Sequence, residues 1–446
     1  MIDDPINNQK KMTVEEPELI YVDEIPKNVT HGKNKVFVIK NSGLTRATHK
    51  FHRYPGKFIP HVPRWALDKY LSPNDSSKLV LDPFMGSGTT LVESSIFGVS
   101  SYGLDIDPIA RLISKVKTAS YDLRALQSHV SELKAILMSN QVAELFTPTL
   151  PTLSHWFNEA AVKQLGAIRA TIDRFKSEKT TYDFFLVCFI AIIRRASNAD
   201  NQTQKTYVSH THPKIPEPAL PLFLKTIDDY YKRVVEFSEL SSTDVQVNIL
   251  EECEARNVGD FWREHGLPKI DLAITSPPYV KSVDYVYNQM SEYFWIGDLF
   301  ELESQAKQNL QKKLYVGTDK VFASEYREQN FLGIATIDKV LEQLYESNQK
   351  SGYIVYKYFS EMLQHFHQMR SVLKENSRYL VVVGDSVVSG IPIETHELLV
   401  DCAESVGFCR ENTFGYEIRN RHMRFPRQGN GGIVKYDWLL DLRNCK

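Results

Sequence analysis

The residues best suited to do chemistry lie in the stretch Asp271-Leu-Ala-Ile-Thr-Ser-Pro-Pro-Tyr279. Two consecutive prolines fix φ and remove two backbone donors, so a strand running up to Ser276 cannot go on pairing beyond it. Past that residue the chain must form a rigid turn at the carboxyl end of a strand, the place where open α/β sheets bind ligands. The turn offers the Ser276 hydroxyl, a Pro277 carbonyl outside any ladder, and the Tyr279 ring. Those groups suit a planar target carrying an exocyclic amine: the oxygens accept amine hydrogens and the ring stacks. Taken alone, Ser276, Pro277, Pro278 and Tyr279 could equally form an ordinary loop after a strand.

A second stretch adds a binding function. Leu79-Val-Leu-Asp-Pro-Phe-Met-Gly-Ser-Gly-Thr-Thr90 reads as strand, glycine-rich turn and helix start. Gly86 and Gly88 let the backbone approach a ligand without a Cβ in the way. Asp82 falls at the strand end, followed by Pro83 and Phe84, with Thr89 and Thr90 at the helix start. Further on, Ser101-Tyr-Gly-Leu-Asp-Ile-Asp-Pro108 reads as another strand ending in carboxylates, Asp105 and Asp107. An acid there is the usual partner of ribose hydroxyls in dinucleotide-type folds. No Lys follows Gly88, so this is not a phosphate loop of the Walker kind. A cofactor with a ribose and no pyrophosphate fits better.

Asp82-Pro-Phe-Met-Gly-Ser-Gly88 together with Thr275-Ser-Pro-Pro-Tyr279 resembles the motif pair of the S-adenosylmethionine-dependent amino-group DNA methyltransferases. The Ser-Pro-Pro-Tyr form resembles the N4-cytosine branch; the N6-adenine branch more often carries Asp or Asn where Ser276 stands. Phe51-His-Arg-Tyr-Pro-Gly-Lys-Phe-Ile-Pro60 is similar to the segment that closes over the methionine end of the cofactor in that family. It adds Phe51, Tyr54 and Lys57 to the implied cofactor residues. Glu252-Cys-Glu-Ala-Arg256 loosely matches an acid-Ala-Arg that reads the adenine amine, which implicates Glu254. Thr275 is a further implied cofactor residue. The resemblance covers about a third of the chain. It implies S-adenosylmethionine as cofactor, duplex DNA with a flipped base as substrate, a restriction-modification setting and a cognate restriction endonuclease as a possible partner. An N6-adenine enzyme, an RNA base methyltransferase and an inactive binding subunit of the same fold are the alternatives. The Pro-Cys dipeptide of C5-cytosine methylation is absent.

The 446 residues suffice for one elaborated catalytic domain or two domains. A formal net charge of −2 gives no global field toward nucleic acid, so a DNA face must be local. Five cysteines without a Cys-x-x-Cys pair argue against a zinc site or disulfide framework and for a reducing cytoplasm; the resemblance implies a prokaryotic or phage-encoded protein. No metal is expected. The apolar run 184–193 suits a buried helix and is too short to cross a bilayer.

The elements needed to position these groups can be read from periodicity. Residues 1–45 form an N-terminal arm with one strand at Lys35–Ile39. Residues 46–120 form the cofactor half, opened by a basic, aromatic segment (Arg46 to Arg64) read as a lid bordering nucleic acid. From 121 to 245 the spacing is helical almost throughout, an inserted subdomain that would help grip the substrate. Arg194, Arg195 and Lys205 lie at or in its loop 198–218. Residues 246–446 form the catalytic half, with a polar insertion at about 300–350, a helix over 280–295 and a closing strand pair. Between those last strands, Arg419, Arg421, Arg424 and Arg427 carry no acid among them, which suits phosphate contacts or guanine reading. The expected fold is α/β: a Rossmann-like methyltransferase sheet, mostly parallel with an antiparallel C-terminal hairpin, bearing an inserted helical subdomain.

Overall fold

The computed structural model describes residues 17–29, 35–39, 46–139, 144–150, 152–200, 206–281, 284–417 and 436–445. Among them run eleven strands: β1 (Glu18–Val22), β2 (Lys35–Ile39), β3 (Leu79–Asp82), β4 (Ser100–Gly103), β5 (Val247–Ile249), β6 (Ile270–Thr275), β7 (Leu373–Gly384), β8 (Ser386–Val388), β9 (Ile391–Ile393), β10 (Phe408–Glu417) and β11 (Tyr436–Asn444). Nine of these make one sheet in the order β1-β2-β10-β11-β7-β6-β3-β4-β5, and β8 and β9 form a separate hairpin. Every described pairing in the large sheet is parallel except the two made by β11, which lies antiparallel to β7 and to β10. This is the Rossmann-like methyltransferase sheet with its antiparallel C-terminal hairpin.

The near-continuous apolar strands reflect burial on both faces, as parallel sheets require. Leu81, Ala273, Val381 and Val383 point into one core, shared with helices Val258–Glu264, Gln349–Val372 and Thr395–Ser405. Their neighbours Val80, Leu272, Ile274, Leu380 and Val382 point the other way, against helix His61–Tyr70. Alternation by two along each strand thus divides the side chains between two layers of helices.

The helices of 121–245 have their apolar faces in a third core. Leu126, Leu133, Leu165, Phe189 and Phe223 pack there with Ile109 and Ile113 of helix Pro108–Thr118 and with Trp295 beyond the Pro-Pro turn. Helix Lys179–Ala196 carries the expected apolar run 184–193 in this core, buried except for the half-buried Ala191. No helix among the described residues is long and apolar enough to cross a membrane, and no described group of three or more His, Cys, Asp or Glu could hold a metal ion.

Three expectations need correction. Part of the N-terminal arm is ordered: Glu18–Val22 extends the sheet by pairing in parallel with β2, a contact that a five-residue segment does not announce. Residues 280–295 hold two short helices, Tyr285–Asn288 and Met290–Ile296, because Asp284 caps the first by accepting from Tyr287 N. The insertion at 300–350, read only as polar, holds the helices Gln305–Leu314 and Ala335–Ser347. Finally, Cys409 and Cys445 are joined in a disulfide, Cα–Cα 6.0 Å. The β10–β11 register sets Cys409 opposite Arg443, so Cys445 is its diagonal neighbour on the same face.

Candidate active site

The sheet order reverses between β3 and β6. β4 and β5 continue on one side and β7 on the other, so the crevice at the carboxyl ends of β3 and β6 is the switch point of the fold. The two sequence motifs emerge there side by side. A cavity opens at this point, and Ser276 and Pro278 line it together with the glycine-rich turn.

One end of the cavity belongs to the lid and the glycine turn. Tyr54, Lys57, Pro83, Phe84, Gly86 and Thr89 face it. Gly86 has φ +48°, and a Cβ there would stand 3.3 Å from the Tyr54 ring. Lys57 donates to His49 O at 2.7 Å, and burial lowers its ammonium to about 8. Two carboxylates, Asp105 and Glu254, line the cavity as well. Asp105 lies two residues past β4 and accepts from Gly86 N at 2.9 Å and Asp107 N at 2.8 Å. Burial and the nearby Asp107 charge raise it to about 7. Glu254 is held by Arg256, which also donates to Glu361 at 2.8 Å. Tyr285 and Tyr315 complete an aromatic wall, with ring centroids 6.0 Å from Tyr54 to Tyr285 and 5.6 Å from Tyr285 to Tyr315.

Several residues expected to touch the cofactor stand outside the cavity. Asp82 is fully buried and accepts from Phe84 N (3.2 Å), Thr90 Oγ1 (2.6 Å) and Thr275 Oγ1 (2.6 Å). Desolvation raises it to about 6, against those three donors. Asp82, Thr90 and Thr275 therefore clasp β3 to β6 and hold the two motifs in register. Gly88 is the N-cap of helix Thr89–Phe97 at φ +75°, where a Cβ would meet Ser114 Oγ at 2.8 Å. Asp107 caps helix Pro108–Thr118 through Ile109 N and Ala110 N, and also accepts from Tyr54, Gln289 and Tyr293. Phe51 is buried and stacks on Tyr230 with centroids 4.1 Å apart.

Pro277 is buried and Tyr279 half-buried. Neither lines that cavity; Tyr279 stands just beyond Pro278 with its hydroxyl on Asp437 at 2.5 Å. Sequence reasoning missed Asp437, Tyr285 and Tyr315. Tyr285 was legible as one of an aromatic stripe, whereas Tyr315 sits in the insertion without a motif.

The lid is anchored from inside. Arg46, His49 and Arg64, expected on a nucleic-acid border, all reach the buried Glu93, at 2.8, 2.6 and 2.9 Å. Burial pushes the Glu93 carboxyl up, but the bonds from His49 and Arg64 outweigh it and bring it to about 2. Arg194 donates to Asp200 O (2.9 and 3.1 Å), and Arg195 forms a two-point ion pair with Glu217. Lys205, Arg419, Arg421, Arg424 and Arg427 lie outside the described residues.

Glycine turn, strand-end acid, lid and Pro-Pro turn converge in a Rossmann-like methyltransferase fold. Comparison with known proteins agrees with that class. Over 431 residues, 90% of both chains, the protein is 24% identical to the Type II methyltransferase M.MvaI of Kocuria varians. It is 25% identical to the Type II methyltransferase M.MjaII of Methanocaldococcus jannaschii, over 71% of this chain and 76% of that one. Identity to the Type II methyltransferase M.BsoBI of Geobacillus stearothermophilus is 23%, over 59% and 55%. Among solved structures, the rRNA methyltransferase aviRa of Streptomyces viridochromogenes aligns over 88% of this chain and 89% of its own, with 8% identity and a TM-score of 0.31. No family model matches the chain. The relatives fit the family that the motifs resemble, the amino-group DNA methyltransferases, and with them the cofactor is S-adenosylmethionine. The cavity suits that molecule. Gly86 leaves room where a Cβ would crowd Tyr54, Asp105 and Glu254 offer carboxylates for hydroxyl and amine hydrogens, and Lys57 an ammonium for a carboxylate.

Proposed function

We propose that this protein is a site-specific DNA methyltransferase of a restriction-modification system, acting on the exocyclic N4 amine of cytosine. The observation that carries this reading is that Ser276 and Pro278 open into the same cavity as Gly86, Asp105 and Glu254. A reacting amine at the Pro-Pro turn would thus face the cofactor directly.

An exocyclic amine is a poor nucleophile because its lone pair is delocalised into the ring. The Ser276 hydroxyl and the Pro277 carbonyl would accept its two hydrogens and draw the nitrogen toward tetrahedral geometry, freeing the lone pair. Tyr279 would hold the flipped ring, and Asp437 holds Tyr279. Bound S-adenosylmethionine supplies an already activated methyl group, so the protein mainly positions and polarises. Extruding the base costs a few kcal/mol, to be offset by phosphate contacts. The helical segment 121–245 and the arginines at 419–427 are proposed as the two jaws making them, with a restriction endonuclease of the same specificity as functional partner.

Nucleoside mass spectrometry of DNA treated with purified protein and cofactor tests the reading. N4-methylcytosine is expected; N6-methyladenine alone would move the substrate to adenine, and methylated RNA with untouched DNA would overturn the DNA assignment. Arg421→Ala with Arg424→Ala should weaken DNA binding and flatten its salt dependence while cofactor affinity stays unchanged.

A further inference from the structure

A second cavity shares Tyr54 and Pro55 as a wall with the first. Its polar lining comes from His52, Asn288, Gln289 and Glu292, each less than 9% exposed. Three of these carry buried polar atoms without a hydrogen-bond partner: His52 Nδ1, Asn288 Nδ2 and Gln289 Oε1. The other end of the Gln289 amide is committed, since Nε2 donates to Asp107 at 2.8 Å. One Glu292 oxygen accepts from Ser291 Oγ at 2.8 Å, and the other stands 4.0 Å from His52 Nε2. Unmatched buried polar atoms each cost about 1–3 kcal/mol, so a native protein keeps them where something is bound. Ile190 and Ala191 give the cavity an apolar side. Arg53, Arg194 and Arg195 line it as well, and Arg53 is close enough to Arg194 for their charges to repel.

This lining combines a free amide donor, a free amide acceptor and a carboxylate with an apolar flank and guanidinium groups. Together they match a nucleotide: a base edge with donors and acceptors, a planar face and an anionic phosphate. The target base is accounted for elsewhere, because Ser276 and Pro278 line the other cavity. We propose that the second cavity receives a nucleotide flanking the target, with its base edge on Asn288, Gln289 and Glu292 and its phosphate at Arg53 and Arg194. The site then determines sequence specificity, and it rests on the DNA reading above.

Single-molecule sequencing of DNA methylated in vitro by the purified protein reads the recognised motif, and the variants Asn288→Ala and Glu292→Gln are compared with the parent. Each should relax one and the same position of the motif at least tenfold, as the loss of a base-edge contact does, with cofactor affinity by calorimetry unchanged. Arg53→Ala should instead weaken DNA binding on all sequences and lower the salt slope by about one. Folded variants, shown by an unshifted melting curve, that methylate the parental motif with parental selectivity would overturn the inference while leaving the DNA reading intact. A parent protein that methylates no DNA would overturn both. Should Glu292→Gln fail to fold, Asn288→Ala and Arg53→Ala still decide the matter.

Discussion

Tyr279 donates its phenolic hydrogen to Asp437 Oδ1 at 2.5 Å, so the ring after the two prolines is fixed from β11, 158 residues away in sequence. The Pro-Pro turn sets where the ring begins, and the carboxylate sets where it ends. A stacking surface held at both ends loses little freedom when a base arrives. That is how positioning residues lower a barrier.

Tyr279→Phe separates these two contributions, since it keeps the ring and removes the anchor. One lost hydrogen bond of about 0.5–1.5 kcal/mol predicts a fall in turnover of roughly two- to tenfold. Tyr279→Ala also removes the stacking face, roughly 1–3 kcal/mol per base, and should fall further. Single-turnover methylation of DNA at saturating cofactor reads both, and cofactor affinity should not move. Parental turnover in Tyr279→Phe would show that the anchor contributes nothing to the chemical step.

Asp437 also predicts a pH dependence of stability. Burial pushes its carboxyl up from 3.8 to about 6, although Tyr279 donates to it. An acid with a raised pKa in the folded state binds protons more tightly folded than unfolded, so stability is full below about pH 4 and declines as pH rises toward 6. At about 1.4 kcal/mol per pH unit the full difference is about 3 kcal/mol. Asp437→Asn lacks this titration and should gain stability relative to the parent between pH 4 and pH 7. Urea denaturation at the two pH values measures it; a constant difference would mean that Asp437 is ionised throughout.

Cofactor binding should depend on Gly86 and Asp105 together, because the Gly86 amide is tied to the Asp105 carboxylate. Gly86→Ala forces a side chain into φ +48° and to within 3.3 Å of Tyr54. Asp105→Ala removes both the ligand group and the tie. Each should weaken S-adenosylmethionine binding at least tenfold by calorimetry, about 1.4 kcal/mol. Parental affinity in Asp105→Ala would remove it from the cofactor site.

The elements β2 and β3 and helix Thr89–Phe97 were legible to the residue, because strong local patterns bounded by proline and glycine leave no alternative. The convergence of the two motifs was legible through their resemblance. What a side chain does once inside was not. Asp82 and Asp107 look like ligands in sequence, but each stands where backbone N–H groups need an acceptor, and the fold uses them there. The lid's charges were misread for a similar reason: Glu93 lies in an apolar-looking helix, and only the tertiary arrangement brings Arg46, His49 and Arg64 to it. Asp437 and Tyr315 belong to the site through contacts distant in sequence.

Thr275 and Ser276 are neighbours with opposite duties, and substituting each should give opposite results. Thr275 is fully buried and spends its hydroxyl on Asp82, also accepting from Phe84 N. Thr275→Val is nearly the same shape but leaves a buried carboxylate one donor short and a buried-side amide one acceptor short. It should cost about 1–3 kcal/mol of stability and loosen cofactor binding, since the glycine turn comes directly after Asp82. Ser276 faces the cavity past the end of the strand. On the proposed reading Ser276→Ala removes an oxygen that acts on the amine as it becomes a nucleophile, so stability and cofactor affinity should be unchanged. Turnover should fall tenfold or more, because an interaction stronger in the transition state than in the ground state lowers kcat when lost. Thermal melts, calorimetry and single-turnover kinetics on the two variants resolve the pattern. A stability loss in Ser276→Ala with parental turnover would place Ser276 with Thr275 in the clasp and leave the amine to the Pro277 carbonyl alone.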